Sequence, residues 1–189
     1  MKHFFAYLAR MKNIRRWGLM RNTESENNLE HSMMCCYIAH GLALIGNTYF
    51  QKNYDAGAVM AAAAYHDATE VITGDLATPI KYFNPGLREA YAAVEHMAEE
   101  KLLDMLPHEL KEGYAGLFTP DDETHALIKA ADKICAYIKC IEEEKAGNEE
   151  FKKAKENIEA AIRKMELQEV DYFMTHFMES FGLTLDELN

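Results

Sequence analysis

The side chains best suited to metal or proton chemistry lie together in the stretch Ala64-Tyr65-His66-Asp67-Ala68-Thr69-Glu70. It follows the small, helix-prone run Val59-Met60-Ala61-Ala62-Ala63 and reads as the C-terminal end of a helix. On a helix the neighbours His66 and Asp67 diverge by roughly 100°, and Glu70, four residues past His66, returns to nearly its face. A His-Asp pair on one helix fills only part of a metal shell. Further ligands must come from elsewhere, and His31 and Asp132 are the best candidates. Asp132 falls beside the apolar stripe of Leu127, Ile128, Ala131, Ile134, Cys135 and Ile138. An unpaired carboxylate there is costly, so Asp132 needs a base, a cap or a metal. Two imidazoles and two carboxylates form a borderline-hard N/O set suited to Mn²⁺, Co²⁺, Fe²⁺, Zn²⁺ or Ni²⁺. Four such groups leave positions for water and a substrate oxygen, as catalysis requires. Plainer readings stay open: His66, Asp67 and Glu70 as a polar helix end, and Asp132 paired with Lys129 or Lys133 at the surface. Spacing alone does not choose these four from eight histidines and 31 acids.

The elements that must position them are helices. Phe4, Phe5, Leu8 and Met11 recur at helical spacing and predict an amphipathic helix near residues 2–12. Residues 13–28 mix bases, Gly18 and polar groups and read as loop, with the chain's one tryptophan, Trp17, following Arg15 and Arg16. Asn27 or Asn28 caps the next helix, which carries His31 in its first turn and ends at Gly46-Asn47. Asp55 opens a third helix that runs through His66-Asp67 to the break at Thr73-Gly74-Asp75. Residues 76–81 read as an ordered loop, because Thr78 before Pro79 is pushed out of the α region. Asn84-Pro85 starts a helix to about residue 105, Pro107 a shorter one to Phe118, and Thr119-Pro120-Asp121-Asp122 a long one, bearing Asp132, to about Ala146. A final helix over Glu149–Phe181 turns from charged to aromatic. No period-two strand pattern and no internal repeat is present. The expectation is one all-α domain, residues 1–189, of six to eight helices.

Composition removes several classes. The acids outnumber the 20 bases and give a net charge of −11, a field that repels a nucleic-acid backbone. Arg10, Lys12, Arg15, Arg16 and Arg21 form the one tight basic cluster, adequate for a single phosphate rather than a polymer groove. No apolar run approaches the roughly 18 residues of a membrane helix. The N-terminal residues make no signal peptide, which leads to a cytoplasmic protein with no membrane partner. Cys35, Cys36, Cys135 and Cys140 form no C-x-x-C and read as core filler.

The order His31, His66-Asp67, Asp132 resembles the H…HD…D signature of the HD-domain metal-dependent phosphohydrolases. The likeness extends, through the bacterial 5′-deoxynucleotidases of that group, over nearly the whole chain. It is carried by Arg16-Trp17, Glu30-His31-Ser32, Tyr65 to Glu70, Thr73-Gly74-Asp75-Leu76, Thr78-Pro79, Lys81-Tyr82-Phe83, Ala131-Asp132, Cys135-Ala136-Tyr137, Gln168-Glu169 and Asp171 to Met174. Differences fall in the loop from Thr23 to Leu29 and in the helices after Pro85. The resemblance implies an HD helical bundle, a homodimer, and hydrolysis of deoxyribonucleoside 5′-monophosphates to deoxynucleoside and phosphate. It implies that His31, His66, Asp67 and Asp132 hold one divalent transition-metal ion, such as Co²⁺ or Mn²⁺, with His31 and Asp132 also facing the substrate. Arg16 would bind the phosphate, Glu70 would shuttle a proton or tune the ligands, and Asp67 could instead position the water. Trp17 would exclude a 2′-hydroxyl, Asp75 would accept from the 3′-hydroxyl, and Thr78, Pro79, Ile80 and Lys81 would wall the nucleotide. Two alternatives follow: an HD hydrolase of a triphosphate, pyrophosphate or cyclic dinucleotide, and a metal-free helical binding module.

Overall fold

Two long helices carry the architecture. In the computed structural model, which describes residues 2–81 and 83–189, α2 spans Asn28–Tyr49 and α8 spans Asp122–Lys145. The start of α2 is fixed by a reciprocal cap. The Asn27 side chain accepts from the amides of Leu29 and Glu30, and the Glu30 carboxylate accepts from the Asn27 amide. Asp121 caps α8 through the Thr124 amide at 2.9 Å. Their facing sides are small or aliphatic: Cys35, Ala39, Leu42 and Ala43 from α2 meet Leu127, Ala131, Ile134 and Ile138 from α8. α3 (Ala56–Ala63) and α10 (Gln168–His176) pack on α2, while α9 (Lys152–Arg163) packs on α8. Gly46 permits the turn into α3, because a Cβ there would lie 2.6 Å from the Tyr54 ring. Asn47 then clamps Tyr54 through both main-chain groups.

A second core holds the other side of the chemistry-bearing stretch. Phe4 of α1 (Phe4–Leu8), Met11, Ala68, Leu102 of α6 (Pro85–Asp104) and Leu106 are buried together, with Tyr65, Val71, Ile72 and Tyr114 of α7 (His108–Phe118) against them. Residues 64–69 therefore bridge two cores, with Ala63 in one and Ala68 in the other. This changes the expected geometry. The third helix stops at Ala63, and the chain continues in i→i+3 turns, Tyr65 N–H to Ala62 and Ala68 N–H to Tyr65, before α4 (Glu70–Thr73). At about three residues per turn, His66 and Glu70 lie roughly 120° apart rather than roughly 40°. They do not share a face.

Other boundaries also differ from the sequence reading. Residues 78–81 form a single turn, α5 (Thr78–Lys81), not a loop. Pro79 is tolerated in that first turn because its missing N–H would have had no intrahelical partner. The first helix ends at Leu8 and tightens into a 3₁₀ turn at Met11–Asn13. The last predicted helix is broken into a 3₁₀ turn (Glu149–Phe151), α9, α10 and a further 3₁₀ turn (Met178–Gly182), with Glu166 in the left-handed region at φ 53°. Ten α-helical segments thus stand among the described residues where six to eight were expected. The all-α class is as read, and the described residues form no strand beyond an isolated bridge between Arg15 and Asn27. Tyr82 of the Lys81-Tyr82-Phe83 motif lies outside the described residues. None of the described helices is long and apolar enough to cross a membrane.

The loop before α2 is anchored by a buried charge network. Glu143, 1% exposed, accepts from the Thr23 and Glu24 amides, from Asn148 and from Lys139, itself 4% exposed. Lys139 also donates to the Glu24 carbonyl at 2.6 Å. Burial alone would raise the Glu143 pKa, but Lys139, the Thr23 amide and Asn148 outweigh it and bring it down to about 2. Glu143→Ala leaves Lys139 buried and uncompensated, so a loss of about 3–5 kcal/mol in unfolding free energy is expected. Because the folded pKa is lowered, the parent's advantage is full above the ordinary value of 4.5 and is lost as pH falls through about 2. Denaturant melts of parent and variant across that range check both the size and the sign.

Candidate active site

His31 enters from the first turn of α2 with a fully buried side chain. Its Nε2 lies 3.0 Å from Asp132 Oδ1 on α8, 3.4 Å from Cys35 Sγ and 3.8 Å from Asp67 Oδ2. The other ring nitrogen, Nδ1, faces Glu26 at 3.7 Å, the carboxylate-to-imidazole arrangement that orients ligating histidines. His66 is set by the end of α3. Its Nδ1 donates to the Ala63 carbonyl at 2.8 Å, and Nε2 is buried with no hydrogen-bond partner, 3.3 Å from Asp67 Oδ2. One donor atom from each of His31, Cys35, His66 and Asp132 lies within 4.8 Å of every other. Asp67 stands at the rim of this group. Asp132 therefore has its partners in His31 and Arg16, 3.6 Å away, and not in Lys129 or Lys133.

Arg16 is placed by the Arg15–Asn27 bridge, where its amide donates to the Glu26 carbonyl. Its guanidinium reaches Asp67 Oδ2 at 2.9 Å and Glu26 Oε2 at 3.3 Å. Glu26 Oε2 also accepts from Trp17 Nε1 at 3.0 Å. Trp17 sits at φ 59° with its ring 5.3 Å from that of Phe151, so a strained backbone and two partners fix the indole.

The packed charges shift one another. Burial would lower the pKa of His66, but the Asp67 charge and then Cys35 raise it to about 9. His31 is likewise raised well above its ordinary value, against burial, by Asp132. Asp132, its side chain 39% exposed, is pulled below the carboxylate range by His31, His66 and Arg16. Without an ion the two imidazoles thus hold protons, and those protons supply the charge a divalent cation would bring. The unpartnered Nε2 of His66 and this charge deficit fit a metal ion held by His and Asp donors.

Glu70 opens α4 and accepts a hydrogen bond from Asn28 Nδ2. Burial, then the Asp67 charge, push its pKa up to about 8, so it carries a proton near neutral pH. Asp75 is raised by burial and lies within the field of Arg16, Asp67 and Asp132. The α5 residues stand apart. Thr78, Pro79 and Ile80 are exposed, and Lys81 is paired with Glu95 at 2.7 Å and lies over the Tyr91 ring. His66 and Asp132 also line a cavity of about 170 Å³ with Phe118, His125 and Lys129. Sequence reasoning missed Glu26, Asn28 and Cys35. Cys35 alone had a signal, since it follows His31 by four residues and so shares its face of α2.

The helical bundle that brings these imidazoles and carboxylates together beside an arginine has the fold of the HD-domain phosphohydrolases. An HD-domain phosphohydrolase from Listeria innocua superposes with a TM-score of 0.83 at 22% identity, covering 95% of this chain and 88% of that one. The cyanophage S-2L HD phosphohydrolase DatZ, solved with dA and one catalytic Zn²⁺ ion, gives 0.68 at 21% identity over 95% and 96%. The chain belongs to the 5′-deoxynucleotidase YfbR-like family, whose sequence model matches residues 3–181. It is 49% identical to the Escherichia coli 5′-deoxynucleotidase YfbR over 190 residues, 99% of this chain and 96% of the relative.

Proposed function

We propose that the protein hydrolyses deoxyribonucleoside 5′-monophosphates to deoxynucleoside and phosphate, with His31, His66, Asp67 and Asp132 holding one divalent ion such as Co²⁺ or Mn²⁺. The observation that supports this reading is the convergence of His31, His66 and Asp132, with Asp67 at the rim, beside Arg16 in a chain of this family. The bound ion supplies Lewis acidity, which makes water a usable nucleophile near neutral pH and offsets charge on the phosphoryl oxygens. Arg16 orients the phosphate with its planar fork. Glu70, protonated below about 8, delivers its proton to the leaving 5′-oxygen as the P–O bond breaks. Asp75 accepts from the 3′-hydroxyl. A homodimer is supported by the exposed stripe of Leu29, Met33, Tyr37 and Leu44 along α2.

The rigid indole of Trp17 selects the sugar. A ribose 2′-hydroxyl set against it has no partner, and an unpaired polar group costs about 1–3 kcal/mol. Phosphate release from matched deoxy- and ribonucleoside monophosphates, with triphosphates alongside and Co²⁺, Mn²⁺, Zn²⁺ or Mg²⁺ supplied, is expected to favour the deoxy monophosphates. Trp17→Ala lowers that deoxy-to-ribo ratio about 10–100-fold. No release from any deoxynucleotide with any ion refutes the activity; an unchanged ratio in the variant refutes the role of the indole.

A further inference from the structure

We propose that the Cys35 thiolate is a further donor at this centre, making it a mixed N/O/S site that favours thiophilic ions, Zn²⁺ or Co²⁺, over Mn²⁺ or Mg²⁺. This rests on the reading that His31, His66 and Asp132 hold a divalent ion. Cys35 is fully buried, yet its sulfur does not simply fill the core. Sγ lies 3.4 Å from His31 Nε2, the same nitrogen that faces Asp132 at 3.0 Å. Adjacent donors on one ion, with metal–nitrogen and metal–oxygen distances near 2.1 Å and metal–sulfur near 2.3 Å, lie about 3.0–3.6 Å apart at angles of about 90–109°. His31 Nε2 lies within that range of both Asp132 Oδ1 and Cys35 Sγ, and the donor atoms of His31, Cys35, His66 and Asp132 all lie within 4.8 Å of one another. The buried, unpartnered Nε2 of His66 is the independent mark of a missing ligand at the same point.

The sulfur is also held in place. Cys135 Sγ, one turn past Asp132 on α8, lies 3.4 Å from Cys35 Sγ and receives its S–H in the ion-free chain. On binding, the Cys35 S–H bond breaks heterolytically, the sulfur–metal bond forms, and the proton leaves to solvent; nothing is oxidised or reduced. Cys135 is a positioning residue that stays a thiol. The hard N/O set of the remaining ligands accepts Mn²⁺ readily, whereas a thiolate shifts preference toward softer ions.

The test is Co²⁺ loading of the whole protein, followed by absorption spectroscopy and metal competition. Thiolate coordination gives a near-ultraviolet sulfur-to-Co²⁺ charge-transfer band in addition to the visible bands of His/Asp-bound cobalt. The parent and Cys135→Ala show that band, and Cys35→Val and Cys35→Ser lack it while keeping the visible bands and the far-ultraviolet helical signal. Loss of the thiolate weakens Zn²⁺ and Co²⁺ relative to Mn²⁺ by at least about tenfold. Visible bands without charge transfer in the parent overturn the Cys35 assignment and leave the four-ligand reading intact. Failure to bind cobalt at all overturns both.

Discussion

Asp132→Ala abolishes phosphate release and strips the protein of its ion. The expected loss in kcat/KM is on the order of 10³-fold or more, since one ligand and the charge it supplies vanish together. The geometry makes this position more damaging than the loss of an ordinary carboxylate. Asp132 Oδ1 lies 3.0 Å from His31 Nε2 and 3.6 Å from Arg16 Nη2, so its removal takes one carboxylate from both cations at once. Asp132→Asn separates shape from charge: it preserves the packing on α8 and still fails to hold the ion. Phosphate release and elemental analysis of the same preparations check this, and full metal content with retained turnover rejects the ligand assignment. The pH dependence has a definite sign. His66 without an ion keeps its proton up to about 9, so an ion must displace that proton to bind. Apparent affinity therefore rises with pH through the neutral range and levels off near 9. The protons stabilise the ion-free fold in the opposite sense. The His66 contribution is full below its ordinary 6.5 and is lost as pH climbs through about 9.

The parts of this site that were legible in the sequence are those set by local rules. The caps at Asn27, Asn84 and Asp121 stand where side-chain chemistry puts them, which places His31 in a first turn and Asp132 along a half-buried face. The order of His31, His66-Asp67 and Asp132 supplied the rest through family likeness, because these residues come from three separate segments. What was not legible depends on partners far away in the chain. Nothing in Ala63 to Glu70 announces a change from α to tighter turns; Phe4, Leu102 and Leu106 dictate it by burying Ala68 from the other side. Glu166 takes a left-handed backbone without glycine or asparagine to signal it. Lys139 and Glu143 sit four apart on α8 like any surface pair, and only the docked Thr23–Glu24 backbone shows that they are buried. Lys81 carries a charge suited to phosphate, yet Glu95, fourteen residues on, claims it.

Arg16→Ala cuts kcat/KM by roughly 10³-fold while leaving the ion in place, and that pairing of results sets it apart from loss of a ligand. Arg16 touches three carboxylates, Asp67 at 2.9 Å, Glu26 at 3.3 Å and Asp132 at 3.6 Å, and its side chain is only 14% exposed. In the substrate-free protein the guanidinium keeps those anions from repelling one another. When phosphate arrives, the planar fork has donors left to grip two of its oxygens without releasing Asp67. Alanine removes both functions. The carboxylates then hold a divalent cation at least as tightly as before, because a competing positive charge has gone, so metal content is retained. Phosphate loses the guanidinium that grips it, so inorganic phosphate binds more weakly and KM rises along with the fall in kcat. Lysine recovers only part of this. A point charge on a flexible stem cannot reach Glu26 and Asp67 while presenting two parallel donors, and Arg16→Lys is expected to remain about 10–100-fold below the parent. Steady-state kinetics, phosphate-binding isotherms and elemental analysis on the three proteins check the set. Parent-like kcat/KM in Arg16→Ala removes the arginine from the reaction, and loss of the ion in that variant makes its role one of holding the ligands rather than the substrate.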